Sequence, residues 1–143
     1  SCHGEGNWYH QTGTHCFHFS LFSHKEGWVN GYASGIEANH PLLISRKLST
    51  GGALNASHSF LSISDPLVSL SLVKKADADN HLIIRLTEME GKDKTVQITL
   101  PAEVKKVVRT NLIEDEIETI PGNGKMITVS LGHHAIETFK LIL

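Results

Sequence analysis

The sequence predicts an all-β protein: an antiparallel β-sandwich, immunoglobulin-like or supersandwich-like, with one short helix in the N-terminal third. Three observations carry this. From residue 60 onward, six or seven short runs alternate apolar with polar side chains, the period of a strand with one face in a core. Explicit turn sequences, ADADN (76–80), EGKD (90–93) and PGNG (121–124), divide those runs. No stretch in this part has the 3.6-residue periodicity of a helix, so the runs must pair with one another.

The elements follow in order. Residues 14–22 alternate, with His15, Phe17, Phe19 and Leu21 on one side and Cys16, His18, Ser20 and Phe22 on the other. That pattern predicts a strand covered in part on both faces. Next, Trp28, Tyr32 and Ile36 recur every four residues, as along one side of a helix. Gly31 and Gly35 weaken this helix and Pro41 ends it. A strand is expected near residues 42–45. STGGALNASHS (49–59) is small and polar and reads as a connection. It contains Asn55-Ala56-Ser57, a glycosylation triplet that matters only in a eukaryotic secretory pathway.

The sandwich strands are expected at 60–63, 67–74, 81–88, 95–100, 104–112, 125–131 and 135–142. Alternation slips at Lys105-Lys106, which suggests a bulge. Asn123-Gly124 fits the positive φ angles of a tight hairpin turn. The acidic run IEDEIE (113–118) reads as a solvated strand edge kept from sticking by its charge. These assignments divide the chain into 1–56, a strand-helix-strand segment expected to be the end of a preceding β-sandwich, and 57–143, the C-terminal sandwich. The first segment cannot bury its own aromatic faces, so it is expected to pack on the sandwich or on something outside the chain.

The bulk numbers restrict the function classes. The chain has 143 residues, 40% hydrophobic and 20% charged, with a net charge of -2. Such a balance belongs to a soluble globular domain and offers no basic field for nucleic acid. No apolar run nears the roughly 20 residues that span a bilayer. No signal peptide is visible, and a start at Ser1 is expected for a processed or excised chain. The compartment stays open. Cys2 and Cys16 could pair, but two free thiols are expected, because a chain this long needs no staple.

Candidate chemistry is sparse. Cys16 and His18 project from one face of the expected strand about 7 Å apart, a spacing that could hold two zinc ligands. His15 points the other way, and there is no CxxC or HExxH, so histidines on a half-buried strand are the plainer reading. No GxSxG elbow is present, and PGNGK lacks the spacing of a phosphate loop. Glu114, Asp115 and Glu116 are consecutive and splay to alternate faces, unlike the two carboxyls of a glycosidase. Trp8, Tyr9, Trp28 and Tyr32 cluster in the first third and could stack on sugar faces or fill an interface with a partner.

Taken in order, the segments resemble the C-terminal β region of glycoside hydrolase family 38, the α-mannosidases. A family strand of the form HxFxYSLxPHxGxW stands here as HCFHFSLFSHKEGW (15–28). A piece like A-(L/F)-N-x-P-L appears as ANHPL (38–42). SFL (59–61), KKADAD (74–79), LIIRLTEMEG (82–91), NLIE (111–114) and IETFKL (136–141) then match in sequence. Phe19 and Phe22 stand where tyrosine is common, Ser23 replaces the proline before His24, and Glu26 and Gly27 shift the residues before Trp28.

The resemblance implies a parent that is a retaining, zinc-dependent α-mannosidase. Its zinc would sit in a missing N-terminal α/β domain, held in part by an HxD motif, with an aspartate nucleophile. No HxD occurs here, so no catalytic residue carries over and the chain is expected to be inactive alone. The expected partner is the catalytic domain of the same parent chain, with mannose-containing glycans as a further candidate and neither nucleic acid nor membrane. His24, Trp28 and Tyr32 are the residues expected at a substrate or interdomain contact. The rival reading is a stand-alone carbohydrate-binding β-sandwich module; a third is a histidine-based metal-binding domain.

Overall fold

A computed structural model describes residues 12–46 and 51–143. The chain divides into two compact units, Ser1–Ser45 and Arg46–Leu143.

The first unit carries one helix, α1 (Val29–Asn39). It forms despite two glycines because asparagine amides brace it. Asn30 Nδ2 donates to the Glu26 carbonyl (2.6 Å) and Asn39 Nδ2 to the Gly35 carbonyl (2.8 Å). His40 N–H closes the last turn on Ile36 and Glu37, just before Pro41. No residue of α1 is buried. The strands expected at 14–22 and 42–45 are not formed among the described residues; both stretches have no regular structure and are exposed throughout. The reason is physical. A strand is stable only against a ladder partner, and alternation marks a chain ready to pair without supplying the other half.

The second unit is the predicted antiparallel sandwich. Its strands are β1 (Ser62–Ile63), β2 (Val68–Lys75), β3 (Leu82–Glu88), β4 (Lys94–Val104), β5 (Lys106–Thr110), β6 (Glu116–Ile120), β7 (Gly124–Leu131) and β8 (Ile136–Ile142). They form a three-stranded sheet in the order β1-β4-β7 and a five-stranded sheet in the order β2-β3-β8-β5-β6. Alternate residues of both sheets meet in one core. Ile84, Leu86, Val107, Phe139 and Leu141 come from the larger sheet; Val96, Ile98, Ile127, Val129 and Leu131 come from the smaller.

Two expectations for turns are corrected. The slip at Lys105-Lys106 is not a bulge: there the chain leaves the three-stranded sheet at Val104 and enters the five-stranded one at Lys106. Asn123-Gly124 is not a hairpin either. Gly124 does take a positive φ of 88°, but the turn joins β6 to β7, which lie in different sheets. Positive φ reports local backbone geometry and not which strands pair. The true hairpins are β2–β3 and β5–β6. Pro101 lies in the stretch of β4 where the ladder to β7 loses register between Thr99 and Val104, as expected of a residue without an N–H to donate.

The acidic run does end in an edge strand, β6. A register shift between Arg109 and Thr110 leaves Ile117 without a partner, with Glu118 opposite Arg109 and Glu116 opposite Thr110. That extra residue sends the two glutamates to opposite faces of the sheet.

Candidate functional site

In the first unit, the structure brings His24, Trp28 and Tyr32 to one groove of about 510 Å³, together with Phe22, Ile36 and Asn39. Trp28 and Tyr32 are four residues apart and meet edge to face, with ring centroids 6.0 Å apart and planes at 89°. The His24 ring lies against Gly31: a Cβ there would come within 2.6 Å of it, so only glycine admits the imidazole at this place. His24 Nδ1 lies 2.7 Å from the Lys25 carbonyl, which can only accept; Nδ1 therefore carries the proton. The groove offers an aromatic wall and an imidazole, and Trp28 is half-exposed. It can take an apolar side chain or the face of a sugar ring.

Large apolar side chains of the first unit are also exposed. Phe19 is 91% exposed and Leu21 100%, and Leu42, Leu43 and Ile44 are all above 90%. Cys16 is exposed with a free thiol, and His18 is exposed. Among the described residues, no three histidine, cysteine, aspartate or glutamate side chains gather as a ligand set. Cys2, Trp8 and Tyr9 lie outside the described residues.

In the second unit, the charged residues brace the fold. Lys74 Nζ contacts Asp77 (2.7 Å) and Glu114 (2.6 Å); Glu114 also accepts the Asp77 N–H at 2.8 Å. Glu114, at a positive φ of 73°, thus links the β5–β6 turn to the β2–β3 turn. Lys140 joins Asp79 (2.7 Å) and Glu116 (3.1 Å) beside it. These pairs raise the pKa of both lysines, through Asp77 and Glu114 for Lys74 and through Asp79 and Glu116 for Lys140. On the core-facing side, Arg109 holds Glu137 through two guanidinium nitrogens and Glu118 at 3.1 Å. This triad borders a groove of about 730 Å³, lined also by Thr128, Ser130 and Phe139, where the edge of β7 meets β5 and β6.

Among the described residues, Glu88 is the one buried carboxylate, at the end of the core. Burial by itself would push its pKa up. The N–H groups of His134, Glu90, Gly91 and Lys92, at 2.7 to 3.1 Å, outweigh that and hold it at about 2. Glu88 thereby ties the β3–β4 crossover to the β7–β8 crossover. Gly91 sits in this clip at φ 81°, under the His134 ring.

Sequence reasoning did not single out Glu88 or the Arg109 triad, although the signal was there. Glu88 continues the face set by Leu82, Ile84 and Leu86, and Arg109 the face of Val107. A charge at an inward position calls for a partner. The Lys74–Glu114 link spans KKADAD and NLIE, which no periodicity could join.

Residues 67–139, just over half of the chain, match a family model described as the glycosyl hydrolases family 38 C-terminal beta sandwich domain. No curated protein matches the chain. The match runs from the start of β2 into β8 and leaves His24, Trp28 and Tyr32 outside it.

Proposed function

The chain belongs to the family of glycosyl hydrolase family 38 C-terminal β-sandwich domains, and on that premise we propose that it is a non-catalytic β domain of an α-mannosidase-like hydrolase. Its role is to pack on a zinc-dependent catalytic domain of the same parent polypeptide and support it. The observation that carries this is the exposed apolar surface of the first unit: Phe17, Phe19, Leu21 and Leu42 to Ile44 on chain without regular structure, with Leu21 also lining the Trp28 groove. Such a surface costs free energy in water and is what an interdomain contact removes.

The carboxylates argue the same way. Glycoside cleavage needs a carboxylic acid kept protonated by a raised pKa beside a second carboxyl. Asp65, Asp79, Glu88, Glu90, Asp93 and Glu114 are all shifted down instead, by cations and backbone N–H groups. Among the described residues no ligand set gathers that would fit a zinc ion. Assayed with zinc and a nitrophenyl mannoside, the purified chain should give the buffer rate. Turnover above that rate, lost on heat denaturation, would sink the reading.

A second reading is favoured by one observation, the half-exposed Trp28 edge-on to Tyr32: the groove binds mannose-containing glycans. It requires calorimetric heat with manno-oligosaccharides that Trp28→Ala abolishes. The first reading expects no heat.

A further inference from the structure

We propose that Asn55 is an acceptor of an N-linked glycan. Asn55-Ala56-Ser57 is the only Asn-x-Ser/Thr triplet in the 143 residues, and neither Ala56 nor His58 is the proline that would block it. The structure adds what the triplet alone lacks. Residues 51–60 form no helix or strand and every one of them is exposed. The first ordered element of the sandwich, β1, begins only at Ser62. An acceptor amide must enter the active site of a membrane-bound transferase in an extended conformation, which a residue inside a ladder cannot do and this stretch can.

The chemistry is a simple group transfer. The donor is an oligosaccharide linked to a lipid through a pyrophosphate. The Asn55 side-chain nitrogen bonds to the anomeric carbon of the first sugar and the bond from that carbon to the pyrophosphate oxygen breaks. The amide gives up one proton, and the lipid pyrophosphate leaves. Ser57 supplies the hydroxyl that the transferase recognises. The glycan would stand beside Leu54, which is 59% exposed, and would keep this connection facing water within any assembly. The inference is independent of the mannosidase reading, and neither depends on the other.

The test is to express the chain behind a cleavable secretory signal in eukaryotic cells and to weigh it intact before and after peptide N-glycosidase. The expected result is one enzyme-sensitive glycan, with aspartate left at position 55. Asn55→Gln and Ser57→Ala should abolish it, and Ser57→Thr, which keeps the hydroxyl, should preserve it. Should the chain stay inside the cell, the fraction in the endoplasmic reticulum is weighed in the same way. Wild-type protein bearing predominantly unmodified Asn55 in either fraction overturns the proposal, as does a glycan that persists in Asn55→Gln.

Discussion

Glu88 shows how one side chain can decide the geometry of two loops. Four N–H groups converge on its carboxylate. A glutamine there keeps one accepting oxygen and turns an NH2 toward donors. Glu88→Gln should lower the melting temperature by roughly 10 °C at neutral pH. The sign of the pH effect follows from the lowered pKa. Glu88 titrates near 4.5 when unfolded and at about 2 when folded, so the unfolded chain binds more protons between those values. The stabilisation is whole above pH 4.5 and is lost as pH falls toward 2. Thermal melts across that window should fall steeply for the wild type and more gently for Glu88→Gln. Arg109 poses the companion case. Its removal strands Glu137 on the core side, so Arg109→Met should cost about 2 kcal/mol. Arg109→Met with Glu137→Met should recover most of it, since Glu118, the carboxylate that then lacks Arg109, is half-exposed to water. A double-mutant cycle in urea reads both.

At the scale of elements, the two glycines of α1 make opposite predictions. Nothing crowds a Cβ at Gly35, whereas one at Gly31 would strike His24. Gly35→Ala should stabilise the helix by about 1 kcal/mol and raise helical circular dichroism. Gly31→Ala should displace the imidazole instead, read as a change in the His24 ring resonances by NMR. The same contrast explains what was legible in the sequence. Strands β2, β3, β7 and β8 were readable because Val68, Ile84, Val129 and Phe139 belong to runs that alternate cleanly. So was α1, from the spacing of Trp28, Tyr32 and Ile36. Sheet membership was not. Lys105 and Asn123-Gly124 each look like a local irregularity, and only the tertiary arrangement makes them crossings between sheets. The alternation at 14–22 misled for the converse reason: it describes what the segment can pair with, and the described residues contain no partner strand. That His24, Trp28 and Tyr32 line one groove follows from a turn and one helical repeat that hold them close in sequence. Glu114 and Lys74 meet 40 residues apart, across two hairpin turns, where no local pattern reaches.

At the scale of the whole molecule, the two units differ in what they bury. The sandwich closes a core in which Ile84, Leu86, Ile98 and Leu141 are fully covered. The first unit fully buries no residue of its helix and leaves apolar residues of its irregular segments exposed. On the proposed reading, the exposed apolar residues of the first unit meet a surface of the parent polypeptide. Hydrogen exchange at residues 14–22 and 41–46 tests it most directly, measured by mass spectrometry in the isolated chain and in the full parent hydrolase. The prediction is exchange at the rate of an unstructured peptide in the isolated chain and strong protection in the parent, with β3 and β8 protected in both. Equally fast exchange of 14–22 and 41–46 in the two proteins would contradict it.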